Sequence, residues 1–329
     1  MSGDSGGAGR DENYEGEAGI GMKSQADADA TLRRVSSAIV LGAAIVLIVA
    51  KLWGWMATDS VALLTSVADA VVDALAATAT FFGVRFAQRP ADSMHRFGHG
   101  KGEALAAFTQ AVLLGSTALV LGAESLWRMI YPQPLTAINF GLWIAVGGCV
   151  ISSLLAAMQT WVVRRTGSTA IAADRTHYFM DAVLSGAVLA ALALTRATGW
   201  ERADPTFALV IAGFMIAGAW RVAETAARQL LDHELPQEQR ERIKQVALAC
   251  SGVCGIHDLR TRDAGDRVFV EFHLEVDGDV SVNEGHAIVD AAECAIAALF
   301  PKDTEVIGHL EPAGIADERL DDRVLGTDH

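Results

Sequence analysis

The sequence predicts an α-helical membrane protein: a six-helix transmembrane bundle followed by a C-terminal cytoplasmic α+β domain with a ferredoxin-like arrangement. Three observations support this fold class. Hydrophobic residues make up 51% of the 329 residues and charged residues only 20%, which is too apolar for an ordinary soluble protein. Six apolar runs each approach the roughly 20 residues needed to cross a bilayer. Beyond Leu231 the chain becomes polar and contains no further run of that length.

The six predicted spans are rich in Ala, Gly and Leu, and small residues allow membrane helices to pack closely. They lie at about residues 36–57, 60–86, 104–127, 139–163, 177–198 and 204–225. We therefore predict a transmembrane domain over residues 33–228. The chain ends, residues 1–32 and 314–329, are acidic and lack apolar periodicity, so we predict disordered tails there.

The remaining segment, residues 229–313, is predicted to form the cytoplasmic domain. Residues 238–250 have helical periodicity, residues 255–265 and 267–278 alternate as strands around a Gly-Asp turn, and residues 282–300 are amphipathic. Residues 304–312 complete the sheet. The order helix, strand, strand, helix, strand is that of a ferredoxin-like fold.

Basic residues beside the spans predict the orientation, because Lys and Arg favour the cytoplasmic side. They precede the first span and lie between spans two and three and between spans four and five, whereas the opposite connections contain few. The residues concerned are Arg33, Arg34, Arg85, Arg89, Arg96, Lys101, Arg164, Arg165 and Arg175. Both termini are therefore expected in the cytoplasm.

Several function classes find no support in the sequence. The loop "HGKGEA" lacks the glycine spacing and the Ser or Thr of a Walker motif, so nucleotide binding is not expected. No basic patch remains for nucleic acid beyond the loop charges already used for orientation. Since nothing indicates covalent catalysis, we do not expect an enzyme.

Two spans carry ligand-type side chains in their apolar sequence. Asp69 and Asp73 are four residues apart in the second span, and His177 and Asp181 have the same spacing in the fifth. This spacing puts both members of a pair on one helix face. Three carboxylates and an imidazole can complete a tetrahedral shell around a divalent metal, and imidazole suits zinc and its neighbours.

Two alternatives remain for these four residues. They could pair with basic groups elsewhere in the bundle, which we disfavour on the expectation that no Lys or Arg lies mid-span to partner them. They could also form a proton relay without metal, against which the matched spacing of His177 argues. For a metal site, protons and metal would compete for the same four groups, which predicts exchange of one for the other.

Three ordered motifs carry a family resemblance. The stretches "LLTSVADAVVDALA", "RPADSMHRFGHGKGEALAAF" and "DRTHYFMDAVLSG" resemble the cation diffusion facilitator family, particularly its bacterial zinc and ferrous-iron efflux branch. The similarity runs from about residue 33 to 313. It implies six transmembrane helices, a metallochaperone-like cytoplasmic domain, a homodimer in the bacterial inner membrane, and exchange of metal for protons. It also implies that Asp69, Asp73, His177 and Asp181 form the transport site.

The loop after the second span contains Asp92, His95 and His99, spaced three and four residues apart. This spacing could gather them around one metal, and family members carry a second site on matching residues. A solvated loop whose histidines cap helix ends is the alternative. The resemblance also implies a charge interlock between Lys101 and Asp232 that joins the membrane and cytoplasmic domains, whereas Lys101 could instead serve only the orientation signal.

Histidines recur in the cytoplasmic domain at positions that bind metal in the family. The set comprises His257, His273, His286 and His309, with Glu311 following. The family pattern has Asp where this chain has Glu311, and the extra methylene weakens the expectation of a tightly bridged two-metal site. Ordinary surface or strand histidines are the alternative.

The sequence thus predicts a secondary active transporter that exports a divalent cation. Zn²⁺ is expected, as transported ion and as a structural or regulatory one, with Cd²⁺ or Fe²⁺ also compatible. The alternative is a membrane-bound metal sensor signalling through its cytoplasmic domain. Ligands buried at the membrane midplane favour transport, since a sensor does not need them.

Overall fold

The computed structural model describes residues 11–58, 61–131, 138–200, 202–314 and residue 320. These residues form two compact units. The first comprises the described residues up to Gln88 together with Leu105–Ala223, and the second comprises Arg89–Ala104 together with the described residues from Glu224 onward. The predicted domain limits, 33–228 and 229–313, differ from this division because the loop 89–104 packs with the second unit.

Six helices long and apolar enough to cross a membrane occupy the described residues, as the sequence predicts. They are α1 (Asp11–Thr58), α2 (Val61–Ala87), α3 (Lys101–Ile130), α4 (Ile138–Thr166), α5 (Thr169–Thr198) and α6 (Ala203–Leu230). Most of these helices are longer than the apolar runs that predict them, because polar residues continue the helix at its ends. For example, α5 begins eight residues before the predicted start at 177. Ser168 caps it by accepting a hydrogen bond from the Ile171 amide, 3.3 Å away.

Residues 11–32 are helical, whereas the sequence predicts a disordered tail there. The segment contains several Ala and Glu residues, which have high helix propensity, so a helix already formed by the membrane span can extend through it. The last part of this segment also has tertiary contacts. Asp29 lies 3.4 Å from the Arg165 guanidinium, and Gln88 donates to the Ala30 carbonyl at 3.0 Å. Residues 1–10, 315–319 and 321–329, which belong to the predicted tails, lie outside the described residues.

Buried apolar clusters hold the helices of the first unit together. Val40, Ala77 and Leu155 join α1, α2 and α4, while Leu114 and Met215 join α3 and α6. Large apolar side chains also cover the outer surface, as expected of helices that face lipid; they include Trp53, Phe82, Leu154, Phe214 and Trp220.

The second unit contains the predicted order of helices and strands. Its elements are α7 (Gln237–Leu248), β1 (Val253–Asp263), β2 (Arg267–Val276), α8 (Val282–Ala297) and β3 (Asp303–Pro312). The sheet has the order β1-β2-β3, with β1 antiparallel and β3 parallel to β2. The parallel pair requires the crossover helix α8, which confirms the ferredoxin-like interpretation.

Strand β2 shows why one face of this sheet can hold polar ligands. Phe272 and Leu274 point into the core, where they pack with Ile243 of α7 and Val289 of α8. Because side chains alternate along a strand, the neighbouring His273 projects from the opposite face, which the two helices leave open.

Candidate metal centres

One candidate centre lies within the first unit, between α2 and α5. The His177 imidazole Nε2 lies 3.2 Å from Oδ1 of Asp73 and 3.4 Å from Oδ2 of Asp181. One ligand atom from each of the three residues lies within 4.8 Å of the others. His177 is buried, with 3% of its surface exposed. The i, i+4 spacing on α5 aims His177 and Asp181 at the same point, and Asp73 meets them from α2.

Asp69, the fourth predicted ligand, does not join this group. It lies one turn before Asp73 on the same helix, and it is exposed within the unit. Its charge nevertheless interacts with that of Asp73. The structure therefore brings three of the four predicted residues together and leaves Asp69 one turn away.

The geometry around His177 permits two chemical states. Both neighbouring carboxylates approach the same imidazole nitrogen, so a proton on Nε2 can be shared with either of them. A divalent cation in that position would use the same nitrogen lone pair and the same carboxylate oxygens. Proton and metal are consequently mutually exclusive on Nε2.

A basic residue near this centre escaped the sequence interpretation. Lys51 lies in the α1 membrane span, and its ammonium group interacts electrostatically with the carboxylates of Asp69 and Asp181. Lys51 lies two residues before the end of that span at Trp53, so it is not a mid-span residue, but the sequence analysis did not consider it as a partner of these acids. The available signal was the lysine itself, since charged residues within a span are functional by default.

A second group lies in the loop between α2 and α3. Asp92 Oδ1 is 3.4 Å from His95 Nδ1, and Asp92 Oδ2 is 3.4 Å from His99 Nε2. The Nδ1 of His99 faces the Pro90 carbonyl at 3.1 Å. Because a carbonyl only accepts, Nδ1 is the donor in this contact, and Nε2 is the ring nitrogen that faces Asp92 and is available as a metal ligand.

Hydrogen bonds from the loop backbone stabilise the ionised form of the Asp92 carboxyl. The amides of Met94 and His95 donate to its Oδ1 at 2.8 and 2.7 Å. These bonds lower the pKa of the Asp92 carboxyl, because they stabilise its charged form. The predicted loop ligands are thus assembled with one carboxylate and two imidazoles.

Lys101 and Asp232 form the predicted ion pair, at 2.8 Å, and both belong to the second unit. Lys101 also donates to the Leu230 carbonyl at 3.2 Å. More than a third of each charged side chain is exposed, so the pair itself contributes about 0–1 kcal/mol. Asp232 adopts a left-handed backbone conformation with φ 54°, which the sequence did not predict.

A third group lies on the open face of the sheet. The register puts His257 of β1 opposite His273 of β2, and His273 opposite His309 of β3. Glu311 Oε2 lies 3.2 Å from His257 Nε2, and its Oε1 lies 2.7 Å from His273 Nδ1. Each carboxylate oxygen of Glu311 therefore contacts a different histidine. The longer Glu side chain thus fits between the two histidines, where the family pattern has Asp.

The other predicted members of this group differ in their placement. His309 is two thirds exposed, and its Nε2 lies 3.6 Å from Glu311 Oε1, at the margin of the group. His286 lies on α8, where its nearest acidic partner is Asp290 at 3.6 Å, and it does not join the group. Glu275, which the sequence did not single out, lies 3.2 Å from His257 Nδ1. The alternation of β2 could have indicated it, since Glu275 shares a face with His273.

Family comparisons agree with this architecture over both units. Residues 37–231 match the model of the cation efflux transmembrane domain, and residues 235–313 match that of the cation efflux protein cytoplasmic domain.

Individual relatives cover nearly the whole chain. The cation-efflux pump FieF of Klebsiella pneumoniae subsp. pneumoniae is 38% identical over 283 residues, which span 86% of this chain and 93% of that protein. The FieF pump of Escherichia coli O139:H28 is 37% identical over 285 residues, with 86% and 94% covered.

Solved structures align with a smaller part of the chain. CzrB in a Zn form is 41% identical, and the alignment covers 26% of this chain and 99% of that one, with a TM-score of 0.24.

The matched family models and the relatives establish the classification. The chain belongs to the cation efflux family, also called the cation diffusion facilitators, and is a multi-pass membrane transporter of that family.

Proposed function

We propose that this protein exports a divalent metal cation, Zn²⁺ foremost, from the cytoplasm across a bacterial inner membrane in exchange for protons. The observation that carries the proposal is the convergence of Asp73, His177 and Asp181 inside the six-helix unit. Buried ionisable side chains within membrane spans are costly, and such groups mark ion pathways. With positive-inside orientation, both termini lie in the cytoplasm.

The ligand types favour zinc and related ions. One imidazole with carboxylate oxygens suits Zn²⁺, and also Cd²⁺ or Fe²⁺, better than it suits Mg²⁺ or Ca²⁺. Asp69 lies one turn from Asp73 and is the fourth ligand in this proposal, because the same helix face can bring it to a cation held by the other three.

The charges near the centre support a divalent substrate. Asp69, Asp73 and Asp181 carry three negative charges when ionised, and Lys51 interacts with two of them. One divalent cation together with the Lys51 ammonium balances the three carboxylates. After the metal leaves, protons on the same side chains reduce the uncompensated negative charge, which couples export to proton uptake.

The two other groups are proposed to bind resident Zn²⁺ with a structural or regulatory role. Asp92, His95 and His99 offer three ligands in the loop, and His257, His273 and Glu311 offer three on the sheet. The Lys101–Asp232 pair is proposed to help couple the domains. A homodimer is proposed on the basis of the matched cytoplasmic domain, which is the dimerisation domain of this family.

A metal sensor would need the sheet group but no ligands within the membrane spans, so the α2–α5 centre favours transport. The test is Zn²⁺ flux into proteoliposomes containing wild-type protein or His177→Ala. Transport requires saturable flux in the wild type and its loss in the variant. Equal flux in both proteins contradicts the proposal, as does a wild-type protein that moves no metal while binding it.

A further inference from the structure

A buried carboxylate on α5 lies outside all three candidate metal centres. Asp174 is fully buried, with 0% of its surface exposed. It precedes His177 by three residues and Asp181 by seven, so all three lie on one face of the helix. Asp174 is therefore about one turn from the metal ligands, toward the end of α5 that begins at Thr169.

Two glutamines from neighbouring helices hold this carboxylate. Gln110 of α3 donates from Nε2 to Asp174 Oδ1 at 2.8 Å, and Gln159 of α4 donates from Nε2 to Oδ2. Each glutamine has 1% of its surface exposed. Each oxygen of the Asp174 carboxylate thus receives an N–H donor.

Two side-chain oxygens of the glutamines that contact Asp174 lack hydrogen-bond donors within the described part of the chain. The Oε1 atoms of Gln110 and Gln159 are buried and have no hydrogen-bond partner among the described residues. Of the charged groups that act on Asp174, both His177 and Asp181 belong to α5, while α3 and α4 contribute the two amides. Burying a carboxylate and two carbonyl oxygens together is unfavourable unless positive charge comes near.

We propose that Asp174 is a further residue of the transport pathway: a fixed negative charge that draws the divalent cation to the α2–α5 centre without ligating it. This inference rests on the proposed function. Thr169 lies at the end of α5 assigned to the cytoplasm, so a cation entering from there meets the charge of Asp174 close to the ligands. In a buried setting Coulomb attraction is only weakly screened, so one charge a helical turn away strongly favours occupation of the site.

Two substitutions separate charge from shape. Asp174→Asn keeps the shape and removes the charge, and the Gln159 amide can turn over to accept from the new side chain. Asp174→Glu keeps the charge and changes the shape. Zn²⁺ flux in proteoliposomes should show a KM at least about tenfold higher for Asp174→Asn, with a maximal rate within about twofold of the wild type. Asp174→Glu should keep the KM closer to that of the wild type.

The opposite ranking, a wild-type KM in Asp174→Asn and a raised KM in Asp174→Glu, shows a packing role and overturns the proposal. Should Asp174→Asn fail to fold, Gln159→Lys tests the same point, since its ammonium would neutralise Asp174 while still donating to it. A raised KM there supports the proposal, and an unchanged KM contradicts it.

A spectroscopic measurement distinguishes attraction from ligation. Co²⁺ bound at the α2–α5 centre should give the same visible absorption spectrum in wild type and Asp174→Asn, and it should require a higher Co²⁺ concentration in the variant. A changed spectrum overturns the claim that Asp174 stays outside the ligand shell. Failure of the wild type to transport Zn²⁺ contradicts the proposed function itself, whereas transport with an unaltered KM in Asp174→Asn contradicts only the role of Asp174.

Discussion

The imidazole Nε2 of His177 lies 3.2 Å from Oδ1 of Asp73, and this contact joins helices α5 and α2 inside the membrane unit. Asp181 approaches the same nitrogen to 3.4 Å. A proton and a metal ion therefore compete for this one nitrogen. The proposed coupling of metal export to proton uptake follows from that competition.

Replacing His177 by Asp should change which metal is transported. His177→Asp removes the imidazole that favours zinc and supplies a carboxylate, which favours Mn²⁺. Proteoliposome flux over a panel of metals should show Zn²⁺ transport reduced by roughly tenfold or more, and a gain in the ratio of Mn²⁺ to Zn²⁺ flux. A variant that keeps the wild-type metal ranking contradicts the assignment of His177 as a ligand.

The sheet group should lose metal when Glu311 is removed. Glu311→Ala takes away the carboxylate that contacts both His257 and His273, so the full-length protein should bind fewer Zn²⁺ ions per chain. Equilibrium dialysis with metal analysis measures this number. His286→Ala is the matched control and should retain the wild-type number, because His286 lies apart from the group on α8. Equal losses in both variants contradict the sheet site.

Gly100 should not accept a larger residue. A Cβ atom there would overlap the Ala264 carbonyl oxygen and the Asp266 carboxylate, and a backbone atom cannot move aside as a side chain can. We expect Gly100→Ala to destabilise the second unit by about 1–3 kcal/mol, measured by thermal unfolding.

Gly98, in the same loop, is the control position for Gly100. Its φ of 83° disfavours other residues, but nothing lies within 4 Å of a Cβ there. Gly98→Ala should therefore cost only about 1 kcal/mol, the strain of a left-handed residue. A larger effect at Gly98 than at Gly100 contradicts the packing argument.

The start of α8 should become less stable in acid. Ser281 and Glu284 form a capping box, in which the Ser281 amide and hydroxyl donate to the Glu284 carboxylate. These bonds lower the pKa of Glu284 below its ordinary range. The stabilisation is therefore present above the unfolded-state pKa of Glu284 and is lost as the pH falls through the lower folded-state pKa.

Hydrogen exchange of the first-turn amides of α8 tests this prediction. Wild-type protection should fall in that pH window, whereas Glu284→Gln should show little change across it. Ser281→Ala should lower protection at every pH, because it removes a cap worth about 1 kcal/mol. A Glu284→Gln profile that follows the wild type would show that another group causes the pH dependence.

Spacing along one helix or strand predicted most of the candidate ligands. Two residues four apart on a helix must share a face, which is why His177 and Asp181 converge as expected. Alternation along β2 likewise put His273 on the face away from the core. Spacing cannot tell which turn of one helix meets which turn of another. In this structure Asp73 reaches His177, and Asp69, one turn earlier on the same helix, stays a predicted ligand.

Periodicity along one helix does not predict which residues of different helices contact each other. Periodicity along α5 does not reveal the role of Asp174, because its partners Gln110 and Gln159 come from two other helices. Helix α5 begins earlier than its apolar run predicts, because the residues after Ser168 are helical but less apolar. Hydropathy reports the part of a helix that suits lipid, whereas the cap reports where the helix begins.

Proton-coupled exchange at Asp73, His177 and Asp181 is tested most directly by one flux measurement. Proteoliposomes with an enclosed zinc indicator and a separate pH indicator would be exposed to Zn²⁺, with and without an imposed pH gradient. We predict Zn²⁺ entry accompanied by proton movement in the opposite direction, accelerated by a gradient that drives protons outward, and both fluxes lost in Asp73→Asn. Zn²⁺ entry without proton movement, or with wild-type fluxes in Asp73→Asn, would contradict the account.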